Sequence, residues 1–177
     1  MLIGNKYEII EKIGSGGFGT VYKGINKRTE EFVAIKVEPI LNNTRLLKRE
    51  AQIYQYIGVT STFPHVKWFG KDEINYYLVI NLLGDSIRKH IEKNGKMSKD
   101  EVIIYGKQMM DRIFFLHEKR LVHGDIKPEN FVFGLENTAE KTVFLIDYGF
   151  TKNSVDEMLR KKDIEDCMKV INYMLSK

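Results

Sequence analysis

Apolar and polar positions alternate over much of the first eighty residues, and apolar positions then recur every three or four. Tyr7–Ile13 and Thr20–Ile25 flank a glycine-rich turn, and the β-branched run Glu31–Glu38 follows, so three strands are predicted. Residues 45–57 are rich in helix formers, with Leu46, Leu47, Ile53, Tyr54 and Ile57 as an apolar stripe at helical spacing. His65–Phe69 and Asn75–Asn81 alternate again, joined by Gly70-Lys-Asp-Glu73, and Leu82-Leu-Gly84 reads as a linker. Helical patterns dominate beyond it. Ser98-Lys-Asp-Glu101 matches a capping box opening a helix to about Lys119, with Ile103, Met110, Phe114 and His117 along one side. Asn130–Phe133 and Thr142–Ile146 are predicted short strands, and residues 155–175 a closing helix. No internal repeat or low-complexity stretch interrupts this order.

Composition narrows the reading only a little. A chain of 177 residues, 43% hydrophobic and 29% charged, is long enough for one domain or two small lobes with a real core. The net charge of +4 suits nucleotide or acidic substrates and is too weak to argue for nucleic-acid binding. A single cysteine, Cys167, excludes an internal disulfide and points to a reducing compartment. Nothing has the length of a signal peptide or a membrane span, so the expectation is a soluble intracellular chain.

The chemistry concentrates in Leu121-Val-His-Gly-Asp-Ile-Lys-Pro-Glu-Asn-Phe131, followed by Phe144-Leu-Ile-Asp-Tyr-Gly149. Asp125 is placed to accept a hydroxyl proton, Lys127 to meet a transferring phosphate, and Asn130 and Asp147 to hold magnesium. Carboxylates are weak bases for an alcohol, so Asp125 contributes chiefly orientation. Upstream, Gly14-Ser-Gly-Gly-Phe-Gly19 carries G-x-G-x-x-G, a weak signal alone because glycines mark any tight turn. The strand-like run after it makes this a hairpin whose amides can approach an anion, and argues against the glycine turn of a dinucleotide fold, which opens a helix. Val33-Ala-Ile-Lys36 puts a lysine on the next strand, with Glu50 on the following helix as its natural partner. As an exposed pair these two contribute about 0–1 kcal/mol, so their value lies in positioning phosphates.

Other conspicuous residues have plainer readings. His123 reads as a packed or hydrogen-bonded histidine, and His65, His90 and His117 as structural or surface residues. Trp68 reads as core, Cys167 as packed and Arg160-Lys-Lys162 as a solvated face.

The glycine hairpin, Val33-Ala-Ile-Lys36, Glu50, His123-Gly-Asp-Ile-Lys-Pro-Glu-Asn130 and Asp147-Tyr-Gly149 together resemble a eukaryotic protein kinase over nearly the whole chain. Within that family the chain looks most like the casein kinase I superfamily. Leu82-Leu-Gly-Asp-Ser-Ile87 resembles its Leu-Leu-Gly-Pro-Ser-Leu, and Lys127-Pro-Glu-Asn-Phe131 its Lys-Pro-Asp-Asn-Phe. Lys161-Lys-Asp-Ile-Glu-Asp166 resembles its Arg-Arg-Asp-Asp-Leu-Glu-Ser region, with Asp163 as the second aspartate. Gly124 and Tyr148 depart from the usual Arg and Phe, as they do in the related vaccinia-related kinases. Without that arginine, switching by activation-loop phosphorylation is not expected.

The resemblance implies an α+β, two-lobed fold. Residues 1–81 would form an N-lobe of antiparallel sheet plus one helix, 82–84 a hinge, and 85–177 a shortened, mainly helical C-lobe. It implies ATP and Mg2+ as cofactors and a protein Ser or Thr hydroxyl as acceptor. Ile13, Gly14, Gly16, Gly17, Gly19, Val21, Ala34, Lys36, Glu50, Ile80 and Leu83 would bind the nucleotide. Asp125 and Lys127 would be catalytic, and Asn130 and Asp147 would bind metal. It also implies a cytoplasmic or nuclear location, with no nucleic-acid or membrane partner.

One departure is larger. Asp163 follows Asp147 by only 16 positions (163 − 147), with no Ala-Pro-Glu between, and the chain stops at Lys177, where the family continues. The rival to an active kinase is therefore an ATP-binding pseudokinase that docks a protein. A small-molecule phosphotransferase is a more distant rival. Ile164, Met168, Val170, Ile171, Met174 and Leu175 of the closing helix are expected to be partly exposed, as a surface for a partner or a dimer.

Overall fold

The alternating and β-branched runs of the first eighty residues pair as a five-stranded antiparallel sheet. In the computed structural model, which describes residues 2–16, 19–42, 45–135 and 141–176, the strands are β1 (Tyr7–Gly16), β2 (Gly19–Asn26), β3 (Phe32–Pro39), β4 (Val66–Lys71) and β5 (Asn75–Asn81). Their order is β1-β2-β3-β5-β4. Val33, Ile35 and Val79 form a core cluster with Tyr7 and Tyr77, flanked by Tyr22, Val37 and Trp68. Side chains two apart on a strand share a face, so Ala34, Lys36 and Glu38 point to the other side. There helix α1 (Leu46–Ile57) docks through buried Leu47, Glu50, Tyr54 and Ile57. Gly58 ends the helix in a left-handed turn (φ 82°), its amide donating to the Tyr54 carbonyl.

These elements make one compact unit, residues 1–59 and 64–82, while residues 60–63 and 83–177 make a second. The short stretch before Pro64 belongs to the second unit, where Phe63 lies 4.9 Å from Phe115 between ring centroids. The elements are α+β, with an antiparallel sheet in the first unit and a short, mainly helical second unit, as expected.

The second unit is built on α2 (Ile87–Asn94), α3 (Lys99–Glu118) and α4 (Glu157–Ser176). The capping box opens α3 as expected: the Ser98 amide donates to Glu101 Oε2 at 2.8 Å and the Glu101 amide to Ser98 Oγ at 3.3 Å. The buried face of α3 differs from expectation. Val102, Tyr105, Met109, Ile113 and Leu116 are buried, whereas Ile103 and Phe114 are exposed. Two apolar stripes lie one residue, about 100°, apart on this helix, and packing against α4 and β8 selects the other one. Helix α2, with only Ile87 and Ile91 buried, is too charged to stand out by periodicity. Two-residue and three-residue ribbons, β6 (Leu121–Val122) with β9 (Lys152–Asn153) and β7 (Phe131–Phe133) with β8 (Val143–Leu145), frame the loops that carry Asp125 and Asp147.

On α4 the buried stripe is Asp163, Cys167, Val170 and Met174. Met168 and Leu175 are exposed, Ile164 and Ile171 half-buried, and Val170 and Met174 buried, so part of this apolar surface is exposed, as expected. Burial pushes the Cys167 thiol up to about 12, which keeps it a packed, unreactive sulfur. Arg160 departs from the solvated reading: its Nη2 donates to the His117 carbonyl at 2.8 Å. Among the described residues no helix is long and apolar enough to cross a membrane.

Candidate active site

In the first unit, strand register brings several predicted residues onto one face. Val21 lies opposite Lys36 in the β2–β3 ladder and Ala34 opposite Ile80 in the β3–β5 ladder, and directly opposed residues share a face. Ile13 falls in the irregularity between Lys12 and Gly14 and is exposed. The hairpin closes with Gly14 opposite Val21 and Gly16 opposite Gly19, while Gly17 lies outside the described residues. The glycines have different reasons to be glycine. A Cβ on Gly19 would lie 2.3 Å from the Val37 carbonyl oxygen, so the sheet itself forbids a side chain there. A Cβ on Gly16 would meet nothing within 4 Å, and one on Gly14 only an ordinary contact at 3.9 Å.

Lys36 Nζ donates to Glu50 Oε2 at 2.6 Å. The pair is less exposed than expected, with Glu50 only 4% accessible at its side chain. Removing the lysine would take the cation from a buried carboxylate, and breaking such a buried pair costs about 3–5 kcal/mol, well above the exposed-pair value.

In the second unit the loop between β6 and β7 folds around Asp125. Lys127 Nζ donates to Asp125 Oδ2 at 2.6 Å, and Asn130 Nδ2 donates to the Asp125 carbonyl at 2.7 Å and to Oδ2 at 3.2 Å. Three predicted residues thus meet at one carboxylate. Asp147 follows β8 in a left-handed conformation (φ 68°, ψ 73°), a strain of about 1–2 kcal/mol for a residue with a Cβ. The Ile146 amide donates to the Asn130 carbonyl at 3.0 Å, tying the two loops together just before Asp147. Among the described residues no three His, Cys, Asp or Glu gather as a metal site. One carboxylate and one amide are nevertheless a suitable donor set for magnesium, which keeps waters and is held largely through nucleotide phosphates. Leu83 is half-buried at the start of this unit.

The loop is held from beneath by a residue to which sequence reasoning gave no role. Asp163 is 2% exposed and accepts the His123 amide on Oδ2 at 2.8 Å and the Gly124 amide on Oδ1 at 3.0 Å. His117 Nε2 lies 3.2 Å from the same Oδ2. A lone carboxylate on the stripe formed with Cys167, Val170 and Met174 was the available signal, since such a group is buried only with partners. Gly124 has a local reason to replace a larger residue: its φ is +79°, and a Cβ would come within 3.3 Å of the Phe150 carbonyl. Tyr148 keeps its hydroxyl satisfied within the core by donating to the Leu145 carbonyl at 2.7 Å.

His123 is fully buried and structural, as expected. Its Nδ1 accepts the Asp125 amide at 3.3 Å, so Nε2 carries the proton and donates to the Ile146 carbonyl at 3.1 Å. Burial pushes this imidazole below its usual value of 6.5. Above pH 6.5 folded and unfolded chains are both neutral at this site. As pH falls through 6.5 the unfolded chain binds a proton that the folded one refuses, so stability declines until the lower folded value is reached. The slope contributed is at most about 1.4 kcal/mol per pH unit. Chemical denaturation at pH 7.5 and 5.5 should show this loss, and His123→Asn should flatten it. An unchanged pH slope in the variant would remove His123 as the cause.

Beyond Asp147 the chain takes a short route. A 3-10 turn (Tyr148–Phe150) leads to β9, the Ser154 amide donates to the Arg120 carbonyl at 2.8 Å, and Asp156 caps α4 by accepting the Met158 amide at 2.8 Å. The path is held by the β6–β9 pairing and these two bonds, and only Ser154, Val155 and Asp156 separate β9 from α4.

The protein kinase domain family matches residues 7–174, and the chain belongs to that family. A kinase domain acts on protein substrates and generally uses ATP and Mg2+, which makes phosphotransfer the chemistry to be tested.

Proposed function

We propose that this chain is a protein serine/threonine kinase of the casein kinase I type, transferring the γ-phosphate of ATP to protein hydroxyls. The observation that carries the proposal is the convergence of Lys127 and Asn130 on Asp125, at 2.6 and 3.2 Å from one carboxylate oxygen. A chain released from catalysis has no chemical reason to keep that arrangement together with the Lys36–Glu50 pair.

Asp125 orients the acceptor hydroxyl, and Lys127 supplies positive charge where charge builds on the transferring group. Asn130 and Asp147 would hold magnesium, which bridges and neutralises nucleotide phosphates when bound. Lys36, steadied by Glu50, positions those phosphates. Gly14 and Gly16 meet no close protein neighbour that forbids a side chain, which supports a role in letting backbone amides approach an anion. Ile80, Ala34 and Val21 supply an apolar surface for a base. The casein kinase I assignment is supported by the 82–87, 127–131 and 161–166 segments. The position of Asp163 under the loop adds to the support for aligning it with the second aspartate of that family's segment.

The short path from Asp147 to Asp156 favours a second reading, an ATP-binding module that docks a protein without turnover. Transfer of labelled γ-phosphate from Mg-ATP to casein and to the protein itself separates the two. Incorporation by the wild-type chain, absent in Lys36→Met, is expected. ATP raising the melting temperature without incorporation would sink the catalytic proposal and leave the binding module.

A further inference from the structure

We infer that Glu38 is a positioning residue for phosphoryl transfer, a buried strut that fixes the start of α1 and so sets where Glu50 meets Lys36. The inference rests on the kinase reading for its consequence, and on geometry for its existence.

Glu38 is 1% exposed, although it lies near the end of a strand where a charged side chain would normally reach water. Its Oε2 accepts the Leu47 amide at 2.7 Å and its Oε1 the Leu46 amide at 3.3 Å. These are orphan amides of the first turn of α1, and among the described residues the helix supplies no side-chain cap of its own for them. Arg45, at the cap position, is left-handed (φ 52°) and makes no side-chain cap bond, and the first turn contains no acidic residue. A carboxylate on β3 therefore does what a Ser or Asp at the cap normally does.

That substitution changes the mechanics. A local cap travels with its helix, so it stabilises the helix wherever the helix sits. A cap borrowed from β3 is satisfied only while α1 keeps its place on the sheet. Lys36 and Glu38 are two apart on β3 and share a face, and they grip α1 at Glu50 and Leu47. Those grips are three residues apart, about 4.5 Å along the helix axis. One contact leaves a helix free to slide and pivot, whereas two on the same strand fix both its height and its rotation.

The test uses Glu38→Ala and the milder Glu38→Gln, each alone and combined with Glu50→Gln. Hydrogen exchange followed by mass spectrometry should show residues 46–57 exchanging about tenfold faster or more in Glu38→Ala, with β1 to β3 unchanged. Turnover of casein should fall about tenfold in Glu38→Ala, but less than twofold further when Glu50 is already Gln, because the strut acts through Glu50. A purely structural role would lower the rate by the same factor in both backgrounds. That result, or unchanged exchange of α1 in both Glu38 variants, would overturn the inference. Should Glu38→Ala fail to fold, Glu38→Gln gives the same comparisons, since it keeps one acceptor for two amides. If the wild-type chain transfers no phosphate, the kinase reading fails by that result, and the exchange of α1 alone decides whether Glu38 is the strut.

Discussion

Replacing Asp125 by alanine is expected to lower phosphoryl transfer by about 10²–10⁴-fold while leaving the fold intact. The side chain is 25% accessible and its ionic partner Lys127 is 44% accessible, so the pair lies where water screens it. Its loss should therefore move the melting transition little, by less than about 1 kcal/mol. The loop does not depend on the carboxylate for its shape either. Asn130 Nδ2 also holds the Asp125 main-chain carbonyl at 2.7 Å, and the His123 and Gly124 amides remain on Asp163. What disappears is the group that orients the acceptor hydroxyl and keeps Lys127 aligned. Rate and stability should separate cleanly in this variant. Steady-state transfer of labelled phosphate, measured beside thermal melting, checks it. A variant that melts normally and still turns over at the wild-type rate would take the acceptor-orienting role away from Asp125.

The sequence exposed the chemistry better than it exposed the supports. Asp125, Lys127, Asn130 and Asp147 stand within 23 positions of one another (125 to 147), in loops flanked by short apolar runs that point to strand ends. Local spacing was enough to group them. The strands β1 to β5 were equally legible, because their alternating and β-branched runs are bounded by turn residues. The wrong face on α3 had a physical cause: apolar residues occupy both the Val102–Met109–Leu116 and the Ile103–Met110 lines, and only tertiary packing selects between them. Glu38 and Asp163 were overlooked for another reason. Each is an acidic residue that accepts from backbone amides, which have no sequence signature, and the amides that Asp163 holds are 39 and 40 residues away in the chain. An acidic side chain on the buried side of a strand or helix is the trace they leave, and it names no partner. The Lys36–Glu50 pair was found by spacing, but its burial was not, because exposure depends on how α1 lies against β3.

Asp163→Ala should be strongly destabilising, and its effect on rate should arise indirectly. The substitution orphans two buried donors, the His123 amide and the Nε2 of His117, together with the part-buried Gly124 amide. Each unsatisfied buried donor costs about 1–3 kcal/mol, offset in part where water enters the vacated space. A net loss of about 3–5 kcal/mol is expected, a large share of the roughly 5–15 kcal/mol that holds a domain together. Asp163→Asn is milder in volume but not in chemistry. It keeps one acceptor oxygen and turns an NH2 group toward a second donor, so one amide still goes unanswered. Because Gly124 is left-handed and borders Asp125, releasing its amide frees the turn that aims the carboxylate. Transfer should therefore fall in Asp163→Asn even under conditions where the protein remains folded, with faster hydrogen exchange confined to residues 121–131. Denaturant melts, exchange and turnover on the same samples make the comparison. If Asp163→Asn exchanged like the wild type in that loop yet lost activity, the carboxylate would have a role other than holding the loop. If instead it lost neither stability nor rate, the three bonds to Asp163 would contribute nothing to the site.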